Sequence, residues 1–276
     1  MNKFAVFIDR DGTINEEVGY VDSFDRFNIL PGVSDAIRKL NDSNIPTIVI
    51  TNQSGIARGY FSADFVNRLH DRMIADLEKL GCTIAGIYVC PHHPDEGCAC
   101  RKPRPGMLLK AAKEHGISLR RSFVIGDKII DIKTAHSVGA KGILVLTGYG
   151  AEEIKSVNSA TPPSLLRVLS GQAYPLPEGE EYASEKPDHV AANLNDAVSW
   201  IIKEVLSNEQ RAMSGKGDKT EELFSDETPM NRISQRIMKI PLNPPFSKGE
   251  NRLPPLEKGG KGDLKLDSPM NGVKES

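Results

Sequence analysis

Short apolar runs alternate with helical spacing over roughly the first 150 residues. The runs are Phe4–Ile8, Thr47–Thr51, Gly86–Cys90, Ser122–Gly126 and Gly142–Thr147, each rich in Ile, Val or both. Four or five such residues in succession, without polar alternation, mark a strand covered on both faces. Between them, Phe65, Leu69, Met73 and Leu77 recur every fourth residue. Ser62 stands where an N-cap belongs and Gly81 where that helix ends. Met107–Glu114 and Asp131–Ser137 read as two further helices. The alternation predicts an α/β fold, a three-layer Rossmann-like sandwich with a mainly parallel sheet and helices on both faces. Right-handed crossovers then bring the strand ends together along one edge.

The pattern fades over 151–187, where Pro162-Pro163, Pro175, Pro177 and an acidic Glu178-Gly179-Glu180-Glu181 run interrupt it. Leu165, Leu166 and Leu169 suggest one short helix inside this insertion. His189–Ala192 returns as a last strand, and Leu194–Leu206 closes the domain with Val198, Ile201, Ile202 and Val205 facing inward. Beyond Ser207 the composition shifts to Pro, Gly, Lys, Ser and Glu, with few apolar residues to offset the entropy of ordering. The expected organisation is a catalytic domain over 1–206, with its insertion at about 151–187, and a disordered tail over 207–276. The tail repeats Pro244-Pro245-Phe246-Ser247-Lys248-Gly249 as Pro254-Pro255-Leu256-Glu257-Lys258-Gly259. A partner-binding Pro-rich segment is the alternative reading of that repeat.

Composition narrows the function. A net charge of −2 over 276 residues, with 39% hydrophobic content, gives no general attraction for nucleic acid or membrane. The opening Met1-Asn2-Lys3-Phe4 lacks the features of a secretory leader, and no run approaches the roughly 20 apolar residues of a membrane span. A cytoplasmic location is expected, where thiols stay reduced. The four cysteines then read as ligands or buried thiols rather than disulfides.

Candidate chemistry gathers at the C-terminal ends of the predicted strands, where open α/β sheets bind ligands. Asp9-Arg10-Asp11-Gly12-Thr13 breaks out of the first strand. Two carboxylates there can bind a divalent metal, attack phosphorus or transfer a proton, although a polar loop is the plainer reading. Thr51-Asn52-Gln53-Ser54-Gly55 follows the second strand and offers a hydroxyl and backbone N–H groups to phosphate oxygens. Arg101-Lys102-Pro103 precedes a helix start, and Gly126-Asp127-Lys128-Ile129-Ile130-Asp131 follows the fourth strand. Asp131 is alternatively a helix N-cap. One chemistry unites these signals. A phosphate dianion resists an anionic nucleophile until Mg²⁺, a lysine and hydrogen-bond donors neutralise it.

D-x-D-G-T, a strand-end Thr, a Lys and G-D-x-x-x-D, in this order, resemble the haloacid dehalogenase superfamily of phosphotransferases. The resemblance implies Asp9 as nucleophile and Asp11 as the acid that protonates the leaving oxygen and later activates water. It implies Thr51 and Lys102 as holders of the transferring phosphoryl group. Asp9, Asp11 through its backbone carbonyl and Asp127 would bind Mg²⁺, with Asp131 in support.

A second constellation is Cys90-Pro91-His92 and Cys98-Ala99-Cys100, a C-x-H and C-x-C pair with five residues between. Three thiolates and an imidazole suit a closed tetrahedral Zn²⁺ site, whereas cysteines one residue apart would make a strained disulfide. His93 is an alternative to His92, and Cys82 reads as a core thiol. Cys100 directly precedes Arg101 and Lys102, so a structural zinc there would fix the lysine. Together with T-N-Q-S-G-I-A-R-G and C-R-K-P-x-P-G-M, the cluster is similar to the heptose bisphosphate and histidinol-phosphate phosphatase branch. That branch implies a minimal cap, a zinc-stabilised loop over the site, and a small phosphorylated sugar as substrate. The heptose reading implies removal of a C7 phosphate on the way to nucleotide-activated heptose, and histidinol phosphate is the alternative substrate. Substrate contacts implied are Glu17, Val18, Gly19 and Tyr20, then Thr51, Asn52, Gln53 and Ser54, and finally Arg101, Lys102 and Lys128. Arg101 would read the distal phosphate. A monomer is expected. A binding scaffold that has lost catalysis is the reading from another class, and the intact Asp9, Asp11, Thr51, Lys102 and Asp127 argue against it.

Overall fold

Strands β1 (Val6–Ile8), β2 (Thr47–Asn52), β3 (Gly86–Cys90), β4 (Phe123–Gly126), β5 (Lys141–Val145) and β6 (His189–Ala191) pair into one sheet in the order β3-β2-β1-β4-β5-β6. The computed structural model describes residues 3–158 and 186–213. Every strand pair in it is parallel, with Val6 opposite Thr47 on one side and Phe123 on the other. From β1 the chain builds outward through β2 and β3, then returns to the far side of β1 as β4. That reversal opens a crevice at the C-terminal ends of β1 and β4, where a ligand site is expected.

The central strands read as unbroken apolar runs because both faces are covered. Val6, Ile8, Val49, Ile125 and Ile143 face one layer, with α1 (Val33–Asp42), α2 (Ala63–Lys79) and α6 (Leu194–Met213). Ala5, Phe7, Ile48, Ile50 and Val124 face the other, with α3 (Gly106–His115) and α4 (Ile129–His136). The α2 boundaries follow from local chemistry. Ser62 accepts a hydrogen bond from the Phe65 N–H at 3.0 Å, and Gly81 takes the left-handed φ of +74° that a side chain would resist.

Several boundaries differ from the sequence reading. Helix α1 was not anticipated, although Val33, Ala36, Ile37 and Leu40 are all buried at helical spacing. Helix α5 (Gly150–Asn158) occupies the start of the span that reads as aperiodic. Helix α6 runs on to Met213, past Leu206. Strand β5 ends at Val145 rather than Thr147, because Thr147 turns away and donates its hydroxyl to the Gly12 carbonyl at 2.6 Å. The short helix around Leu165, Leu166 and Leu169, and the repeated Pro-rich tail, lie outside the described residues. Among the described residues no helix is long and apolar enough to cross a membrane.

Candidate active site and metal centres

Asp9 leaves the end of β1, and its N–H still pairs with the Ile125 carbonyl at 2.8 Å. The backbone thereby aims the carboxylate into the crevice beside Asp127, which follows β4. Asp9, Asp127 and Asp131 are all buried, each with a carboxylate oxygen within 4.8 Å of the others'. The Lys102 ammonium bridges two of them, 2.8 Å from Asp9 Oδ1 and 2.6 Å from Asp131 Oδ1. Burial alone would lower the Lys102 pKa, but the charges of Asp131 and Asp9 outweigh it and hold the ammonium above its ordinary value. Burial drives the Asp127 and Asp131 carboxyls upward, and the neighbouring Asp9 charge adds to it.

This cluster is short of positive charge. Asp9, Asp127, Asp131 and Glu17 face two ammonium groups, Lys102 and Lys128, the latter 2.7 Å from Glu17 Oε2 and 3.8 Å from Asp127 Oδ2. Asp127 Oδ2 also accepts from the Tyr149 N–H at 2.9 Å, while its Oδ1 is buried with no hydrogen-bond partner among the described residues. A buried, unpartnered carboxylate oxygen amid excess negative charge fits a hard divalent cation. The backbone closes tightly here. A Cβ on Gly12 (φ +82°) or Gly148 (φ +55°) would stand 2.2 Å from Asp127 Oδ2.

Asp11 sits differently from Asp9. The Arg10 guanidinium grips it with Nη2 at 2.7 and 2.8 Å and Nε at 3.1 Å. Asn15 Nδ2 donates at 3.0 Å and Gln53 Nε2 at 2.8 Å. Burial would raise this carboxyl, yet the Arg10 charge and the three donor side chains hold it below the usual range. Gln53 Nε2 also reaches Thr51 Oγ1 at 2.9 Å, joining the two motifs. Arg10 in turn sets its Nη1 3.0 Å from His70 Nε2 on α2. Guanidinium only donates, so Nε2 accepts and Nδ1 carries the ring proton. Burial, with the Arg10 charge adding to it, pushes His70 down to about 3.

The remaining expected residues divide. Thr51, Gln53 and Ser54 are buried at the end of β2 and beyond it. Asn52 gives both ends of its carboxamide to the Lys102 backbone, donating to the carbonyl at 3.3 Å and accepting from the N–H at 3.1 Å. Glu17 pairs with Lys128, and the Glu17 Oε1 atom accepts from the Gly19 N–H at 2.7 Å. Val18 packs against the core, and its carbonyl accepts from Arg26. Tyr20 meets Tyr60 edge-on at 4.8 Å. Arg101 holds a buried Nη1 without a partner among the described residues. Sequence reading missed Arg10, His70, Asn15 and Tyr149, whose ring lies 4.6 Å from the Lys128 ammonium. His70 had a signal. It falls in the buried stripe of α2 with Val66, Met73 and Leu77, where a basic residue calls for a partner.

The second cluster converges as its spacing predicts. Cys90 Sγ lies 3.6 Å from Cys98 Sγ and 3.6 Å from His92 Nδ1, and Cys100 Sγ lies 3.5 and 3.2 Å from the same two atoms. A tetrahedron with metal–sulfur bonds of about 2.3 Å has edges of about 3.8 Å, so four donors at these separations fit one tetrahedral ion. His93 faces elsewhere and caps the Pro94–Glu96 turn. Cys82 is a buried thiol directed at the Ser34 carbonyl.

The haloacid dehalogenase-like hydrolase family matches residues 5–139, and a second family described as "HAD-hyrolase-like" matches residues 99–197. A D-glycero-D-manno-heptose-1,7-bisphosphate 7-phosphatase from Thermosynechococcus vestitus is 38% identical over 212 residues, 73% of this chain and 96% of that protein. The chain belongs to the haloacid dehalogenase-like hydrolases. A Haemophilus influenzae D-glycero-beta-D-manno-heptose-1,7-bisphosphate 7-phosphatase matches this hydrolase at 46% identity over 157 residues, 54% of this chain and 84% of that one. In three dimensions it is similar to a D,D-heptose 1,7-bisphosphate phosphatase from B. bronchiseptica, crystallised with magnesium and phosphate. The TM-score is 0.59 at 32% identity, covering 73% of this chain and 99% of the other.

Proposed function

We propose that this phosphoric monoester hydrolase removes the C7 phosphate of D-glycero-D-manno-heptose 1,7-bisphosphate, within nucleotide-activated heptose synthesis for lipopolysaccharide or other surface glycans. The observation that carries the reading is the buried line Asp9–Lys102–Asp131 beside the unpartnered Asp127 oxygen. The names borne by its relatives support the choice of sugar.

In this reading an Asp9 carboxylate oxygen attacks phosphorus and the P–O7 bond breaks, while Asp11, which takes up a proton only once the bound phosphate dianion offsets the pull of Arg10, gives that proton to the departing C7 oxygen. An aspartyl phosphate remains. Asp11, now ionised, takes a proton from water as that water attacks the phosphorus, and Asp9 is regenerated with release of inorganic phosphate. The Thr51 hydroxyl and the Lys102 ammonium hold the phosphoryl oxygens, and Asp131 keeps the ammonium in place. Asp9, Asp127 and the Asp11 carbonyl would hold Mg²⁺, which would supply charge neutralisation. Arg101 turns its unpartnered Nη1 to the C1 phosphate, while Lys128, Glu17–Tyr20 and Thr51–Ser54 border the sugar. Cys90, His92, Cys98 and Cys100 would hold Zn²⁺, which would keep the Lys102 loop rigid. The enzyme acts as a cytoplasmic monomer, its catalytic unit lying within 1–206.

Phosphorus NMR on the heptose 1,7-bisphosphate tests the assignment. Loss of the C7 signal with the C1 signal retained is expected, without turnover of histidinol phosphate. Turnover of histidinol phosphate alone would overturn it.

A further inference from the structure

Among the described residues Arg10 is the largest side chain with almost no solvent contact, at 1% exposure. A guanidinium that cannot shed its proton is costly to bury unless its donors are matched. Among the described residues two groups match it, the Asp11 carboxylate and the neutral His70 ring. His70 is itself 2% exposed and comes from α2, outside every loop that carries the phosphatase motifs. A short chain of buried contacts therefore runs from a core helix, through Arg10, to the carboxyl group that must serve as acid and base.

We propose that Arg10 and His70 are a positioning pair that sets the place from which Asp11 delivers and recovers its proton. Neither touches the reacting phosphorus. The His70 lone pair fixes the Arg10 fork, and the fork fixes both Asp11 oxygens against rotation. Asn15 and Gln53 complete the seat, and Gln53 ties it to the Thr51 hydroxyl. Without the fork, Asp11 keeps two amide donors and loses its orientation. This inference rests on the acid role given to Asp11 above.

Leaving-group chemistry separates positioning from mere packing. A sugar alkoxide needs the proton of Asp11 to depart, whereas p-nitrophenolate departs without it. The experiment compares kcat for the heptose bisphosphate and for p-nitrophenyl phosphate in the full-length, metal-loaded protein, with the melting temperature of each variant recorded. Asp11→Asn calibrates the contrast and is expected to lose far more on the alkyl ester. Arg10→Met is expected to lower alkyl-ester turnover at least tenfold and aryl-ester turnover less than threefold. Arg10→Lys, which keeps the charge but not the fork, is expected to recover only part of the loss. His70→Leu is expected to show the same contrast on a smaller scale, and His70→Gln, which keeps an acceptor, to restore it. Equal losses on both esters in the Arg10 and His70 variants, with the Asp11→Asn contrast present, would overturn the positioning role alone. Faster alkyl-ester turnover in Arg10→Met would overturn it as well. An Asp11→Asn variant without the contrast would remove the acid role and this inference with it.

Discussion

The Lys102 ammonium lies 2.6 Å from Asp131 Oδ1, a contact between two groups with almost no solvent access. Asp131 thus holds a lysine that also faces Asp9, the proposed nucleophile, and that second contact, at 2.8 Å, completes the line. Removing Lys102 leaves Asp9 and Asp131 without their shared cation. Lys102→Met is expected to lower kcat by about 10²–10³-fold, the range for losing one preorganised charge donor. Asp131→Asn should cost less, since an amide oxygen still accepts from the ammonium. Steady-state kinetics check the order, and equal effects would mean that Asp131 does more than hold the lysine.

Asp9→Asn keeps the shape of the side chain and an acceptor for the Arg10 N–H, which now donates to Oδ1 at 2.7 Å. It removes the proposed nucleophile. Turnover is expected to fall by more than about 10³-fold, with circular dichroism and melting temperature nearly unchanged. Phosphate release at the parent rate would strike Asp9 from that role.

Metal analysis of the purified chain is expected to find one zinc per molecule, absent from Cys98→Ser and Cys100→Ser. Because Cys100 lies two residues from Lys102, chelation should reduce kcat along with stability. Asn52 braces the same lysine from β2 through both ends of its amide. Full activity in zinc-free protein would mean that this brace suffices.

His70 makes stability depend on pH in a defined direction. Its folded value of about 3 lies below the unfolded value of 6.5, so between them the unfolded chain binds the extra proton. The contribution is complete above pH 6.5 and is lost as pH falls toward 3, at about 1.4 kcal/mol per pH unit. Thermal melts at about pH 7.5 and 5.0 should therefore diverge by about 2 kcal/mol more in the parent than in His70→Gln. Parallel melting curves for the two proteins would show that His70 takes up protons in the fold.

The strands were legible because burial on both faces leaves an unbroken apolar run, and β3 coincides with its predicted span, Gly86–Cys90. Asp9 and Asp127 were legible because each directly follows an apolar strand whose C-terminal end borders the crevice, and the Cys/His cluster because Cys90, His92, Cys98 and Cys100 lie close together in sequence. Arg10 and His70 were not. Their partnership joins positions 60 residues apart, and no local pattern reports which buried cation meets which ring. Helix α1 was missed for a different reason. Its stripe Val33, Ala36, Ile37 and Leu40 is plain, but it begins behind Gly32 in a left-handed turn rather than behind a capping side chain.

The sheet order carries a consequence for synthesis. Strand β1 is made early yet sits in the interior of the sheet, completed on its second edge only when β4 pairs with it. Asp9 accordingly emerges from the ribosome long before Asp127 and Asp131 can stand beside it. The nascent chain passes through a period in which Asp9 exists without Lys102, Asp127 or Asp131 beside it. The site is therefore assembled only after Asp131 has been made, although Asp9 is among the first residues translated.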